Sequence, residues 1–200
     1  EKIRLRTYGR AQDDSEAFIE LKKKLKDGTF TIDFCDDSLH TSGNLSICGG
    51  TYTLSTGDDG MHADGADQVY GGEITIKTCY EGIKGQNMEI SGGTIDITAS
   101  DDGNGALDYN GTATITGGTL VAAGMSGMEQ NFGSDSTQGT LMMNLTDNKS
   151  GKITLEDANG NTLVSYTPMR EYNSVVISCA ELSDGSTYTI HTGENSREVT

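Results

Sequence analysis

A glycine-anchored repeat of about 22 residues runs through the middle of this chain. Anchor glycines stand at Gly28, Gly50, Gly72, Gly93 and Gly118, spaced by 22, 22, 21 and 25 residues. Each is followed by a short alternating segment: Thr29-Phe30-Thr31-Ile32, Thr51-Tyr52-Thr53-Leu54, Glu73-Ile74-Thr75-Ile76, Thr94-Ile95-Asp96-Ile97 and Thr119-Leu120-Val121-Ala122. Period-two alternation with Thr and β-branched residues reads as strand. A second short strand precedes the later anchors, in Leu45-Ser46-Ile47, Val69-Tyr70, Met88-Glu89-Ile90-Ser91 and Ala113-Thr114-Ile115-Thr116. A unit this small cannot bury its apolar face alone, but stacked units can, with equivalent strands paired in parallel about 4.8 Å apart. The repeat therefore predicts an all-β chain built on a parallel β-helix of about five coils. It is taken as right-handed from the general preference of parallel crossovers. The anchor glycines are expected at bends that need positive φ or tight packing.

Composition concentrates in the same stretch. The formal charge is −16, and residues 28–136 carry 16 acids, two bases (Lys77 and Lys84) and 21 of the 27 glycines. That balance repels phosphate backbones, so nucleic acid is excluded as a partner. No apolar run approaches the ~18–20 residues of a membrane span. One Pro and no Gly-X-Y period exclude collagen.

Stacking at this period would align the acids in columns. Nine residues beyond the anchors lie Asp37, Asp59, Glu81 and Asp102, and eight beyond lie Asp36, Asp58, Tyr80 and Asp101. Twelve beyond lie His40, His62, Lys84 and Gly105, and Asp64 follows His62 by two. Like charges one strand spacing apart repel by ~1 kcal/mol even in water. A divalent cation is the expected compensation, Lys84 being too little by itself. Calcium takes six to eight oxygens and tolerates irregular geometry, so it is preferred over magnesium. Zinc is disfavoured because His40 and His62 stand among oxygen donors and no cysteine pair has structural-site spacing. The candidate metal ligands are Asp36, Asp37, Asp58, Asp59, Asp64, Glu81, Asp101 and Asp102. The competing reading is that each Asp-Asp-Gly is a solvated turn that serves solubility. The nine-residue calcium repeat of secreted toxins does not fit the period.

Several strings carry a resemblance: Gly57-Asp58-Asp59-Gly60-Met61-His62-Ala63-Asp64, Tyr80-Glu81-Gly82-Ile83-Lys84-Gly85, Ser91-Gly92-Gly93-Thr94-Ile95 and Gly105-Ala106-Leu107-Asp108-Tyr109-Asn110-Gly111. Across about 28–192 the chain resembles the bacterial calcium-binding, carbohydrate-binding parallel β-helix family, whose fold is like that of pectate lyases. The resemblance implies extracellular or cell-surface display, Ca²⁺ in the acidic turns and binding of plant-type polysaccharide such as cellulose or pectin (polygalacturonate). This sequence departs from the family pattern at Lys84, where a further acid is usual, and at Asn104-Gly105, where the spacing lengthens.

The ends read differently. Residues 15–26, with Ser15 as N-cap, Phe18, Leu21 and Leu25 on one face and lysines at 22, 23, 24 and 26, suggest a helix. The organisation expected is a helical cap in 1–27, the β-helix in 28–137 and a small antiparallel β module in 138–200. Its strands are expected over Thr140–Leu145, Lys152–Glu156, Thr162–Tyr166, Ser174–Ser178 and Thr187–His191. Cys35 and Cys79 share a column two coils apart, ~9.6 Å, beyond disulfide reach. Cys48 and Cys179 are expected to be buried. The chain opens on Glu1 rather than Met, as a chain whose leader has been removed would.

Three functions are then weighed. One is a non-catalytic, calcium-dependent polysaccharide binder, expected as a monomer. Another is a pectate-type lyase, for which Lys84 is the weak candidate base; the repeat offers no Arg to stabilise a developing anion. The third is a calcium-stabilised surface or adhesion scaffold. Tyr80, Tyr109 and His62 are the candidate sugar contacts; Tyr52 and Tyr70 are expected to point inward.

Overall fold

A computed structural model describes residues 4–6, 18–20, 28–33, 36–100 and 102–200. In chain order the strands are β1 (Arg4–Arg6), β2 (Phe18–Glu20), β3 (Thr29–Asp33), β4 (Leu39–Thr41), β5 (Leu45–Ser55), β6 (Met61–Thr78), β7 (Ile83–Thr98), β8 (Leu107–Tyr109) and β9 (Ala113–Gly124). They continue as β10 (Thr140–Lys149), β11 (Ile153–Asp157), β12 (Thr162–Tyr166), β13 (Tyr172–Ser178), β14 (Tyr188–Thr192) and β15 (Asn195–Val199). The described residues contain no helix.

The repeat register is the one the anchors predict. Thr29 pairs with Thr51, Thr51 with Glu73, Glu73 with Thr94 and Thr94 with Thr119, all in parallel. The five rows bound about four turns of a parallel β-solenoid, one fewer than the five coils expected. Inward positions stack like on like, in the ladders Leu54-Ile76-Ile97-Ala122, Ile47-Val69-Ile90-Ile115 and Leu39-Met61-Ile83-Leu107. All but Leu39 are buried. Each large member contributes about 1.5–3 kcal/mol of apolar burial. Because neighbouring coils share each contact, no coil is stable without the next.

Gly50, Gly72, Gly93 and Gly118 all have φ between +94° and +110°, and a Cβ there would lie 2.8–2.9 Å from a carbonyl of the preceding coil. Left-handed backbone and close stacking thus both require glycine at these corners. The glycines after the acidic turns have a different reason. A Cβ on Gly60 would meet the Gly82 carbonyl at 2.7 Å, and one on Gly82 would meet the Ala106 carbonyl at 2.5 Å. Neither has positive φ. Stacking, rather than turning, fixes their identity.

The C-terminal region continues the solenoid sheet before leaving it. β13 pairs antiparallel with β9, and β10 with β13, so the last coil's edge is covered by its own chain. A four-stranded sheet, ordered β12-β11-β14-β15, closes a second apolar core around Ile153, Leu155, Tyr172 and Ile190. The expected strands of this module all form, within a few residues of their predicted bounds, and β15 is added.

Some expectations are corrected. The helix over 15–26 does not form at Phe18–Glu20, which is extended and pairs antiparallel with β1, Leu5 opposite Ile19. Pairing overrides the helical spacing, and Phe18 and Ile19 suit strands. The other residues of that span, and Cys35, lie outside the described residues. Cys48 is exposed rather than buried, while Cys79 and Cys179 are buried. Tyr70 points outward.

Candidate functional site

The acidic turns lead into β4, β6 and β7, so the register of those strands sets the acids one above another. Leu39 pairs with Met61 and Met61 with Ile83; His40, His62 and Lys84 form the adjacent column. The turn backbones are stitched together as well: Ser38 N–H donates to the Asp59 carbonyl at 3.0 Å, and Gly60 N–H to the Glu81 carbonyl at 2.9 Å.

Asp37 and Asp59 each do two things. One oxygen caps the coil after it: Asp37 Oδ1 accepts from Asp59 N–H at 3.0 Å, and Asp59 Oδ1 from Glu81 N–H at 3.3 Å. The other oxygen faces a basic side chain three residues on and the same column one coil further. Asp37 Oδ2 lies 3.3 Å from His40 Nδ1 and 3.0 Å from His62 Nδ1. Asp59 Oδ2 lies 3.5 Å from His62 Nδ1 and 3.3 Å from Lys84 Nζ. Glu81 Oε2 lies 2.8 Å from Lys84 Nζ. The signal was present in the sequence as a repeated acid-x-x-base: Asp37 to His40, Asp59 to His62, Glu81 to Lys84. Simple counting of charges missed it, because it treats Lys84 as one cation against a whole column rather than as the rung between two particular acids.

Electrostatics follow burial. Asp59 is buried, and desolvation lifts its pKa to about 6 against the pull of Lys84, with Glu81 adding to the rise. Burial works against the Lys84 charge, but the hydrogen bond to Glu81 and the charges of Asp59 and Glu81 outweigh it and hold the amine above the ordinary lysine range. It is a fixed ammonium.

A second surface feature lies on the outer edge. Asp36, Asp37 and Asp58 each offer an oxygen within 4.8 Å of the others, with Asp36 and Asp58 exposed. Tyr80 follows Asp58 in this column, its N–H donating to the Asp58 carbonyl at 2.8 Å, and its ring is exposed. Tyr70 is also exposed, at a coil corner.

Not every candidate joins. The pairs Ile83–Leu107 and Lys84–Asp108 run at an offset of 24 residues. Carried back, that offset sets Gly105 rather than Asp102 above Glu81, and Asp108 rather than Gly105 above Lys84. The exposed Asp102 carboxylate is instead engaged locally by the Ser100 hydroxyl and, at 3.5 Å, by the Asn104 amide. Asp101 lies outside the described residues. Asp64 is exposed and 3.9 Å from His62 Nε2, at the rim. Tyr109 is unavailable for stacking: its hydroxyl donates to the Asn131 carbonyl at 2.6 Å and its ring packs on the core. Among the groups unforeseen in the sequence is Asp67, a carboxylate buried inside the solenoid.

No curated protein and no solved structure matches the chain. A family model described as "carbohydrate-binding domain-containing protein" matches residues 24–130, the span of the solenoid repeats. That span is more than half of the chain, which therefore belongs to this carbohydrate-binding domain family.

Proposed function

We propose that this chain is a non-catalytic, calcium-dependent binder of plant-type polysaccharide, cellulose or polygalacturonate, acting outside the cell or at its surface. The observation that carries the reading is the edge where Asp36, Asp37 and Asp58 converge, one coil before Tyr80, whose ring is exposed. An all-oxygen set of this kind suits a hard cation. Asp36, Asp37 and Asp58 would hold calcium, which supplies positive charge and open coordination positions for sugar hydroxyls or uronate carboxylates. The Tyr80 ring supplies a flat apolar face for a pyranose, with Tyr70 as a second platform.

A lyase is the weaker reading. Elimination next to a uronate carboxylate needs a base near neutral pH. Lys84 is clamped between Asp59 and Glu81 and holds its proton tightly. A calcium-stabilised scaffold without ligand remains the other alternative.

Retention on cellulose and on immobilised polygalacturonate, in calcium and in EDTA, tests the proposal. Wild type should be retained in calcium and released by EDTA, and Tyr80→Ala and Asp58→Asn should each weaken retention. No retention on either polymer would overturn the binding reading. Retention indifferent to EDTA would overturn its calcium dependence. Appearance of unsaturated uronate product, lost in Lys84→Ala, would make the chain a lyase.

A further inference from the structure

The described residues contain a second metal-competent group, which shares Asp37 with the acidic edge but adds two imidazoles to it. Asp37, His40 and His62 each present a ligand atom, all within 4.8 Å of one another. The two imidazoles lie parallel, centroids 4.7 Å apart and planes 5° apart, with both Nδ1 atoms turned to the same oxygen, Asp37 Oδ2. We propose that Asp37, His40 and His62 form a binding site for a borderline divalent cation of the zinc type, which clips the first described coil to the second.

The donor set argues for this class. Two imidazole nitrogens and one carboxylate oxygen form a mixed site that suits zinc, cobalt or nickel and not calcium, which takes oxygen. Metal–ligand bonds of about 2.0–2.1 Å at tetrahedral angles give ligand–ligand edges of about 3.3 Å. The carboxylate-to-imidazole edges here are 3.3 Å and 3.0 Å. In the stacked arrangement the two lone pairs run parallel, so at least one ring must tilt by tens of degrees to bring both onto one ion; His40, with 41% of its side chain exposed, has the room to do so.

The surroundings are also those of a metal site. Ligating carboxylates are oriented by hydrogen bonds to the oxygen that does not ligate. Asp37 Oδ1 accepts from Asp59 N–H at 3.0 Å, which aims Oδ2 at the histidines. A fourth position is open to water on the His40 side, or to Asp59 Oδ2, which lies 3.5 Å from His62 Nδ1. One coil further the equivalent position is taken by Lys84, whose ammonium excludes a cation there. The ligands come from two coils, since His40 and His62 sit at paired positions of β4 and β6. An ion bound here therefore stabilises the stacking of the first described coil, which has only one described neighbour of its own kind.

Titration with Zn²⁺ alone and Ca²⁺ alone, read by calorimetry and thermal melting, tests the site in wild type, His40→Gln, His62→Gln and Asp58→Asn. Zn²⁺ should bind wild type and Asp58→Asn with one-to-one stoichiometry and raise the melting temperature of both. Each histidine variant should bind it at least about tenfold more weakly. Co²⁺ should give the intense visible absorption of a tetrahedral centre in wild type and lose it in His40→Gln. His40 is at the surface, so this variant keeps the fold, and an unchanged metal-free melt verifies that. Zn²⁺ binding of undiminished affinity in both histidine variants, or no stoichiometric Zn²⁺ binding to wild type, would overturn the proposal. No sugar enters the assay, so failure of polysaccharide binding and failure of this site are separate results.

Discussion

The column His40, His62, Lys84 is one structural position used in two ways. At the Asp37 end, imidazoles face the carboxylates and part of the rung is open to solvent. At the Glu81 end, a lysine ammonium sits 2.8 Å and 3.3 Å from two buried carboxylates and closes the rung. The backbone is the same in both, with Gly60 and Gly82 stacked on the coil that follows. The difference teaches that a solenoid can tolerate stacked acids without a metal where the next column supplies a fixed cation. Where the column supplies only imidazoles, the acids are left without a fixed cation of this kind. A negative column is thus a set of separate rungs, each solved by its own partner.

The largest expected effect comes from breaking the closed rung. Lys84→Ala leaves Asp59 and Glu81 buried without their cation. Breaking a buried pair costs about 3–5 kcal/mol, and the partial exposure of Lys84 reduces this to about 2–3 kcal/mol. Melting followed by circular dichroism at neutral pH should fall by about 5–10 °C. Adding Glu81→Gln should return part of the loss, since it removes one of the stranded charges. His62→Gln, at the open rung, should cost less than half as much in metal-free buffer. Equal losses at the two rungs would erase the contrast.

A smaller effect tests the shared backbone. Gly60→Ala places a methyl 2.7 Å from the Gly82 carbonyl and 2.8 Å from two methyl groups of Ile76. The backbone cannot yield without shifting a coil, so the cost should be about 1–3 kcal/mol by denaturant unfolding. Gly103→Ala has open space around it and only a left-handed φ of +97° to strain it. It should cost about 1 kcal/mol. If Gly103→Ala proved the more damaging, stacking would not be what fixes glycine in the acidic turns.

Much of this was legible in the sequence because a repeat announces its own register. The pairs Thr29–Thr51 through Thr94–Thr119 follow from anchor spacing alone. The last coil was misread for the same reason. Counting from Gly93 puts Asp102 in the acid column, whereas the longer spacing shifts the match and brings Asp108 above Lys84. Spacing also cannot say what covers a surface: the sequence marks Tyr109 as a free aromatic, whereas its hydroxyl donates to the carbonyl of Asn131 in a later segment. The helix at Phe18–Glu20 failed because local pattern does not reveal a pairing partner twelve or more residues away. Asp67 was missed because the sequence shows one more acid in an acidic stretch, with nothing to mark it as inward.

Asp67 extends the contrast to a buried acid with no cation partner among the described residues. It occupies an inward row between Leu45 and Met88, with no exposed surface and neither oxygen in a good hydrogen bond. Glycine at position 85 makes room for it, since a Cβ there would lie 2.6 Å from Asp67 Oδ2. Burial raises its pKa from 3.8 to about 8, the Ala63 backbone amide pulling only weakly the other way. The folded protein therefore holds a proton on Asp67 between about pH 4 and pH 8, where the unfolded chain has released it. Stability from this group must fall as pH rises through that window and level off above it. Asp67→Asn, which mimics the protonated carboxyl, should match wild type near pH 4 and exceed it increasingly up to about pH 8. The gain near pH 8 should reach several kcal/mol, with about 5–6 kcal/mol as its upper bound. Denaturant unfolding of the two proteins across the window checks this. A difference that stays constant with pH would mean that folding does not raise the Asp67 pKa and that the carboxylate is ionised in the folded protein.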